Sequence, residues 1–234
     1  MTSTTVTALP VPAPRTAPLT PCATGPVARS TGAAPNPPAV HLPAPVLDNR
    51  PVYLAWAAAY AVGHGATALA GGDDPVVAMP GWLPAGLLAV SMVAAMALTV
   101  VRATRDKKAM RGDARRTAAL LGNTWVIGFT GLAALITGTA FTADDQHLQT
   151  LLWPTGSALV VGILYTAAGA AYRDSVQYTL GAYLAVLGAA AVTLGEVGST
   201  ALLATAGVAG YLAAAALEPA RVADARDAAT SPTR

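Results

Sequence analysis

The chain has 234 residues, 54% of them hydrophobic and only 11% charged, and its mean hydropathy is +0.50. Soluble domains carry roughly 25% charged residues, so this composition excludes an ordinary soluble enzyme or a disordered polar chain and points to a membrane protein. Net charge is +2 and there is one cysteine, Cys22, which rules out an intrachain disulfide and a cysteine-based metal site. Arginine outnumbers lysine twelve to two and alanine is abundant, a bias typical of GC-rich bacterial genes.

Residues 1–50 hold eleven of the eighteen prolines, among Ala, Thr and Ser, with no hydrophobic periodicity. Such a segment cannot bury enough apolar surface to offset its ordering entropy, and a disordered cytoplasmic tail is expected. Nothing before Tyr53 supplies the apolar run of a signal peptide. The same lack argues against lipidation at Leu19-Thr20-Pro21-Cys22.

From Pro51 the chain alternates between long apolar runs and short breaks. A spanning helix needs about 20 mostly apolar residues. Six candidates follow, at 52–71, 82–101, 118–140, 149–171, 176–194 and 198–217. The predicted fold is therefore all-α, a six-helix transmembrane bundle over 51–218 with a short tail at 219–234. Pro51 suits a first helical turn, Gly-Gly-Asp-Asp-Pro at 71–75 is turn chemistry, and Pro219 is expected to help stop the last span. Only Gly195, Glu196 and Val197 separate the last two spans.

Charge sets the orientation. The breaks after spans 1, 3 and 5 carry Asp73, Asp74, Asp144, Asp145 and Glu196, with His147, and no Lys or Arg. All fourteen basic residues lie on the other side. Loops that collect Lys and Arg stay in the cytoplasm, so both termini are expected there, in the plasma membrane. Trp82 and Trp153 fall at the outer span ends, where interfacial aromatics belong.

Three groups of residues are candidates for function. His64, between Gly63 and Gly65, is the only readily titratable side chain deep in a span, and such a residue is a functional-site hypothesis. Tyr60, Asn123 and Tyr165, with Trp125, Tyr183 and Tyr211, fall in a tier about seven residues from the cytoplasmic ends. They form either an inner aromatic belt or the lining of a cavity. The segment 102–117 carries Arg102, Arg105, Lys107, Lys108, Arg111, Arg115 and Arg116. It reads as a loop that contacts anionic lipid head groups or docks a cytoplasmic protein. Glycines also recur at seven-residue spacing: 181, 188 and 195; 162 and 169; 131 and 138 after Thr124. Each set lies on one helix face and lets backbones approach closely.

No intramembrane acid pair, metalloprotease ligand set, serine–histidine dyad, second haem-binding histidine, intramembrane lysine or ATP-binding loop is present. No enzymatic activity, cofactor or metal is expected, and no nucleic-acid partner. Asp48-Asn49-Arg50-Pro51-Val52-Tyr53-Leu54-Ala55-Trp56, Gly63-His64-Gly65 and Leu151-Leu152-Trp153-Pro154-Thr155-Gly156 together resemble uncharacterised six-span membrane proteins of GC-rich bacteria, often labelled transporter or ABC permease. That resemblance implies a permease-like transporter or transporter subunit, with the bilayer, a homodimer packed through glycine faces, or a separate cytoplasmic ATPase as partners. Within the ABC-2 permease family the coupling element would map onto 102–117, while the long outer segment between the last two spans is missing here. The alternative is a non-transporting sensor, regulator or assembly protein that binds a cytoplasmic partner through 102–117.

Overall fold

A computed structural model describes residues 47–230. The predicted tail, apart from its last four residues, lies outside the described residues, as do Cys22 and the last four residues of the chain. The described residues are mostly helical, with no strand among them. Helix α1 (Arg50–Ala59) begins after Asn49 with Pro51 in its first turn, where no intrahelical N–H bond is lost. It runs through a π-helical turn, Tyr60–His64, into α2 (Gly65–Ala70). An irregular stretch follows, then α3 (Trp82–Ala109), α4 (Gly112–Ala143), α5 (His147–Tyr172) and α6 (Ser175–Ala191). A 3-10 turn, Val192–Leu194, leads to α7 (Gly195–Leu202), a second π-helical turn (Leu203–Gly207) and α8 (Val208–Thr230).

Four stretches are long and apolar enough to cross a membrane: Trp82–Ala109, Gly112–Ala143, His147–Tyr172 and Ser175–Ala228. The last is not one rod. Gly195 sits at φ +70°, a left-handed value open to glycine at little steric cost, and the chain turns back there. The Tyr183 hydroxyl on α6 reaches the Ala206 carbonyl beyond the turn at 2.8 Å.

Neighbouring rods run antiparallel. The Trp56 indole N–H donates to Thr99 on α3 at 3.0 Å. Tyr60 lies against Gly207, and Gly128 lies near Val160 of α5. The packing order is α3, α1, α8, α6, α5, α4, and α3 shares no extended packing with α4. These two outer helices are mostly exposed. Val90, Val93, Val126 and Ile127 are each about two-thirds exposed. The core is built from α1, α5, α6 and α8 around Tyr53, Trp56, Tyr60, Leu184 and Tyr211.

The glycine spacing has a direct structural reason on α5 and α6. A Cβ on Gly162 would lie 2.3 Å from the Ala185 backbone nitrogen, and one on Gly181 would lie 2.3 Å from that of Thr166. Gly169 and Gly188 meet backbone just as closely. The two helices therefore touch main chain to main chain, and these faces are used within the chain. On α4, by contrast, Gly131 and Gly138 meet no other described part of the chain. Gly195 belongs to a turn, so it packs nothing either.

Two expectations are corrected. The 102–117 segment is not a loop. α3 continues to Ala109 and α4 starts at Gly112, so only Met110 and Arg111 connect them. Ala, Arg and Lys are good helix formers, and Lys107 and Lys108 in the last turn of α3 suit its negative end. Pro219 does not stop the last helix, which runs on to Thr230.

Gly162→Ala should lower the thermal unfolding midpoint in detergent, by about 1–3 kcal/mol of overpacking. Gly131→Ala, which adds a methyl group to open space, should hold or raise it, by at most about 1 kcal/mol.

Candidate functional site

Two polar constellations stand out. The first surrounds His64. The π-helical turn inserts one extra residue into the first rod, a distortion that recurs at functional sites. His64 closes that turn and is 4% exposed. Its ring sits 4.8 Å from that of Tyr60, edge-on. Tyr60 in turn meets Tyr211 at 5.2 Å, and Trp56 stacks on Tyr211 at 6.5 Å. The second π-helical turn faces the first: its last residue, Gly207, leaves the space that the Tyr60 ring fills. Ser91 on α3 approaches the Ala59 carbonyl at 3.3 Å, and Gly63 lets the α3 backbone come close at Leu88.

Two buried polar atoms here, His64 Nδ1 and Tyr211 Oη, have no hydrogen-bond partner among the described residues, and Tyr53 Oη, nearer the other end of the rod, has none either. Each such atom costs about 1–3 kcal/mol. Among the described residues no group of three His, Cys, Asp or Glu side chains is placed to hold a metal. His64 is also less central than the sequence suggests. Only six residues of helix, about 9 Å, separate it from Ala70.

The second constellation lies at the opposite end of the first rod, and sequence reasoning missed it. The Arg221 guanidinium on α8 bonds both Glu218 oxygens, at 2.9 and 2.6 Å, and pairs with Asp174 at 3.4 Å. It also donates to the Leu47 carbonyl. The Asn49 backbone N–H donates to Glu218 at 2.8 Å, and the Asn49 amide to Asp174 at 3.4 Å. Asp174 caps α6 by accepting from the Gln177 N–H at 2.9 Å. Glu218 is fully buried and Asp174 nearly so. Burial pushes the Asp174 carboxyl above the ordinary carboxylate value, against the opposing pull of the Gln177 N–H and Arg221. The sequence signal was weak: Asp174 and Glu218 are two of seven acids on the end read as basic.

The acidic connections meet at the other end. Gly71 lies against Val197, and His147 pairs with Glu196 at 3.5 Å in an exposed contact.

The structure joins Tyr60 and His64 directly. It places Tyr165 in the same core, edge-on to Trp125 at 5.7 Å. Asn123 is exposed on α4. The Tyr183 ring lies beside Gly210, level with Tyr211, and its hydroxyl is taken by the Ala206 carbonyl. Arg105, Lys107, Lys108, Arg111, Arg115 and Arg116 are all exposed, at the facing ends of α3 and α4. Comparison with protein families, with curated proteins and with solved structures finds no match to this chain.

Glu218→Ala leaves Arg221 and the Asn49 N–H without their main partner. It should cost about 3–5 kcal/mol, seen as a lower unfolding midpoint in detergent. Asp174→Asn keeps an equivalent cap and should stay within about 1 kcal/mol at pH 7. A carboxyl raised by folding stabilises below its unfolded value and loses that contribution as pH rises through its folded value. The wild-type midpoint should therefore fall as pH rises above about 3.8, and Asp174→Asn should remove that part of the slope.

Proposed function

We propose that this chain is a permease-like multi-pass protein of a bacterial plasma membrane, with six crossings and both termini in the cytoplasm. The observation that carries the transport reading is the pair of facing π-helical turns around His64, Tyr60 and Tyr211, with buried polar atoms that lack partners. Unmet hydrogen bonds of this kind fit a site that meets them in a second packing or on a polar ligand. The six crossings rest on the antiparallel order of the rods and on the gathering of acidic connections at one end. The orientation rests on the basic residues at the other.

The test uses a Cys22→Ser background. Cysteine at position 64 should react slowly with a membrane-impermeant thiol reagent, faster from the acidic side, which is the shorter path. No reaction from either side would sink the transport reading. In the same background, cysteine at Asp73 should react on intact cells, and cysteine at Lys108 only after the membrane is opened. The opposite pattern would invert the orientation.

A second reading is supported by the exposed basic ends of α3 and α4. There the chain docks a cytoplasmic ATPase or regulatory protein. A stoichiometric partner that co-purifies from native membranes, and is lost when Arg115 and Arg116 become Glu, would support it. Elution of the chain without a partner would count against it.

A further inference from the structure

A groove of about 890 Å³ runs between α6 and α8 on the outside of the bundle. Its walls are mainly apolar, with Val176, Leu180, Ala209, Gly210, Ala213 and Leu217, and Ser175 and Thr179 also line it. Its deep end is closed by Tyr183, whose ring lies on Gly210 and whose hydroxyl is held by the Ala206 carbonyl. Its mouth is charged, with Arg173 and Asp224 both exposed and both lining it. Arg221 also reaches the mouth, but its charge is already matched by Glu218 and Asp174. Arg173 ends α5 in the left-handed conformation, φ +56°, and makes no ion pair among the described residues.

Dimensions and charge together select the occupant. From Ala209 to Asp224 the α8 wall is fifteen residues long, about 22 Å at 1.5 Å each. That is about one leaflet with its headgroup layer. The apolar part covers the acyl depth, and the charged part falls where head groups lie. Beyond the matched Arg221, the mouth presents one cation, Arg173, and one anion, Asp224, both lining the same groove. A purely anionic headgroup meets Asp224 as well as Arg173 and gains little. A headgroup with both a phosphate and a primary amine answers both charges. We propose that the α6–α8 groove is a binding site for a zwitterionic aminophospholipid, with Arg173 on the phosphate, Asp224 on the ammonium and one acyl chain along Leu180 and Ala213.

The test is native mass spectrometry of the full chain in mild detergent. Three lipids with the same acyl chains are titrated: phosphatidylethanolamine, phosphatidylglycerol and diacylglycerol. Retention of phosphatidylethanolamine above the other two is expected. Arg173→Asn, chosen because asparagine tolerates the left-handed conformation, should weaken it about fivefold, the factor one interfacial charge is worth. Asp224→Asn should weaken phosphatidylethanolamine similarly and leave phosphatidylglycerol unchanged or stronger. Ala213→Trp should block the apolar wall and displace lipid while the unfolding midpoint holds. Equal retention of all three lipids, phosphatidylglycerol bound as tightly as phosphatidylethanolamine, or indifference to both charge changes would overturn the proposal. So would a lipid-free dimer that Ala213→Trp dissociates, since a second copy would then fill the groove.

Discussion

Arg221 carries a permanent positive charge at the edge of an apolar bundle, and an unmatched charge there is among the most expensive things a fold can hold. Its partners are the Leu47 carbonyl before α1, Asp174 between α5 and α6, and Glu218 one turn away on α8, and Asn49 ties into the cluster through both acids. The match therefore fixes more than local charge. It sets the register of α8 along α1. Eleven residues further along each helix, in opposite directions, Tyr60 meets Gly207 with little room to spare. A slip of one residue in that register would drive the tyrosine ring into a neighbour that has a Cβ. Apolar packing alone tolerates such slips. The ion cluster, satisfied in one arrangement, does not.

A second constraint is the main-chain contact of α5 with α6. Four glycines on the two faces remove the side chains that would hold the helices apart, and dispersion between closely packed backbones replaces a hydrophobic effect that lipid cannot provide. The π-helical turns sit beside this rigid pair. A helix in lipid can depart from regular bonding only where neighbours take up the carbonyls it frees. Here Tyr183 serves Ala206, and Ser91 shares its hydroxyl between Ala59 and Leu88 of its own helix. The distorted turns are thus held by side chains from adjacent rods.

Much of this was legible in the sequence, because bilayer thickness turns hydropathy into geometry. The apolar runs, the turn at 71–81 and the inward glycine faces of α5 and α6 all follow from spacing. Charge segregation foretold which connections share an end. What failed has a physical reason in each case. Heptad glycines mark a possible contact face, but Gly131 and Gly138 show that the partner helix must also be there. A run of Arg and Lys reads as a loop on a hydropathy scale, although those residues propagate helices well. Pro219 can stay in a helix where it leaves the Glu218–Arg221 pair on one face. The Asn49–Asp174–Glu218–Arg221 cluster was hidden because its Asn49–Glu218 bond spans 169 residues, and no periodicity links its members. The pairing of His64 with Tyr60 was within reach at four-residue spacing. Its meeting with Tyr211 and Gly207 was not.

The cluster also dictates an order of assembly. Ribosomes deliver the chain from its N-terminus at roughly 5–20 residues per second, so α1 enters the membrane long before Glu218 and Arg221 exist. The α5–α6 pair closes over a short stretch and can form as soon as it is made. The first helix cannot finish packing until α8 arrives, and through that interval the Asn49 N–H and the faces of Tyr53 and Tyr60 have only lipid, water or α3 beside them. A chain cut short after Leu217 would keep every apolar run and still lose the bonds that Glu218 and Arg221 make to Asn49 and Leu47 at the start of the first helix. Quality control in the membrane would therefore read the last seventeen residues through the fate of the first helix.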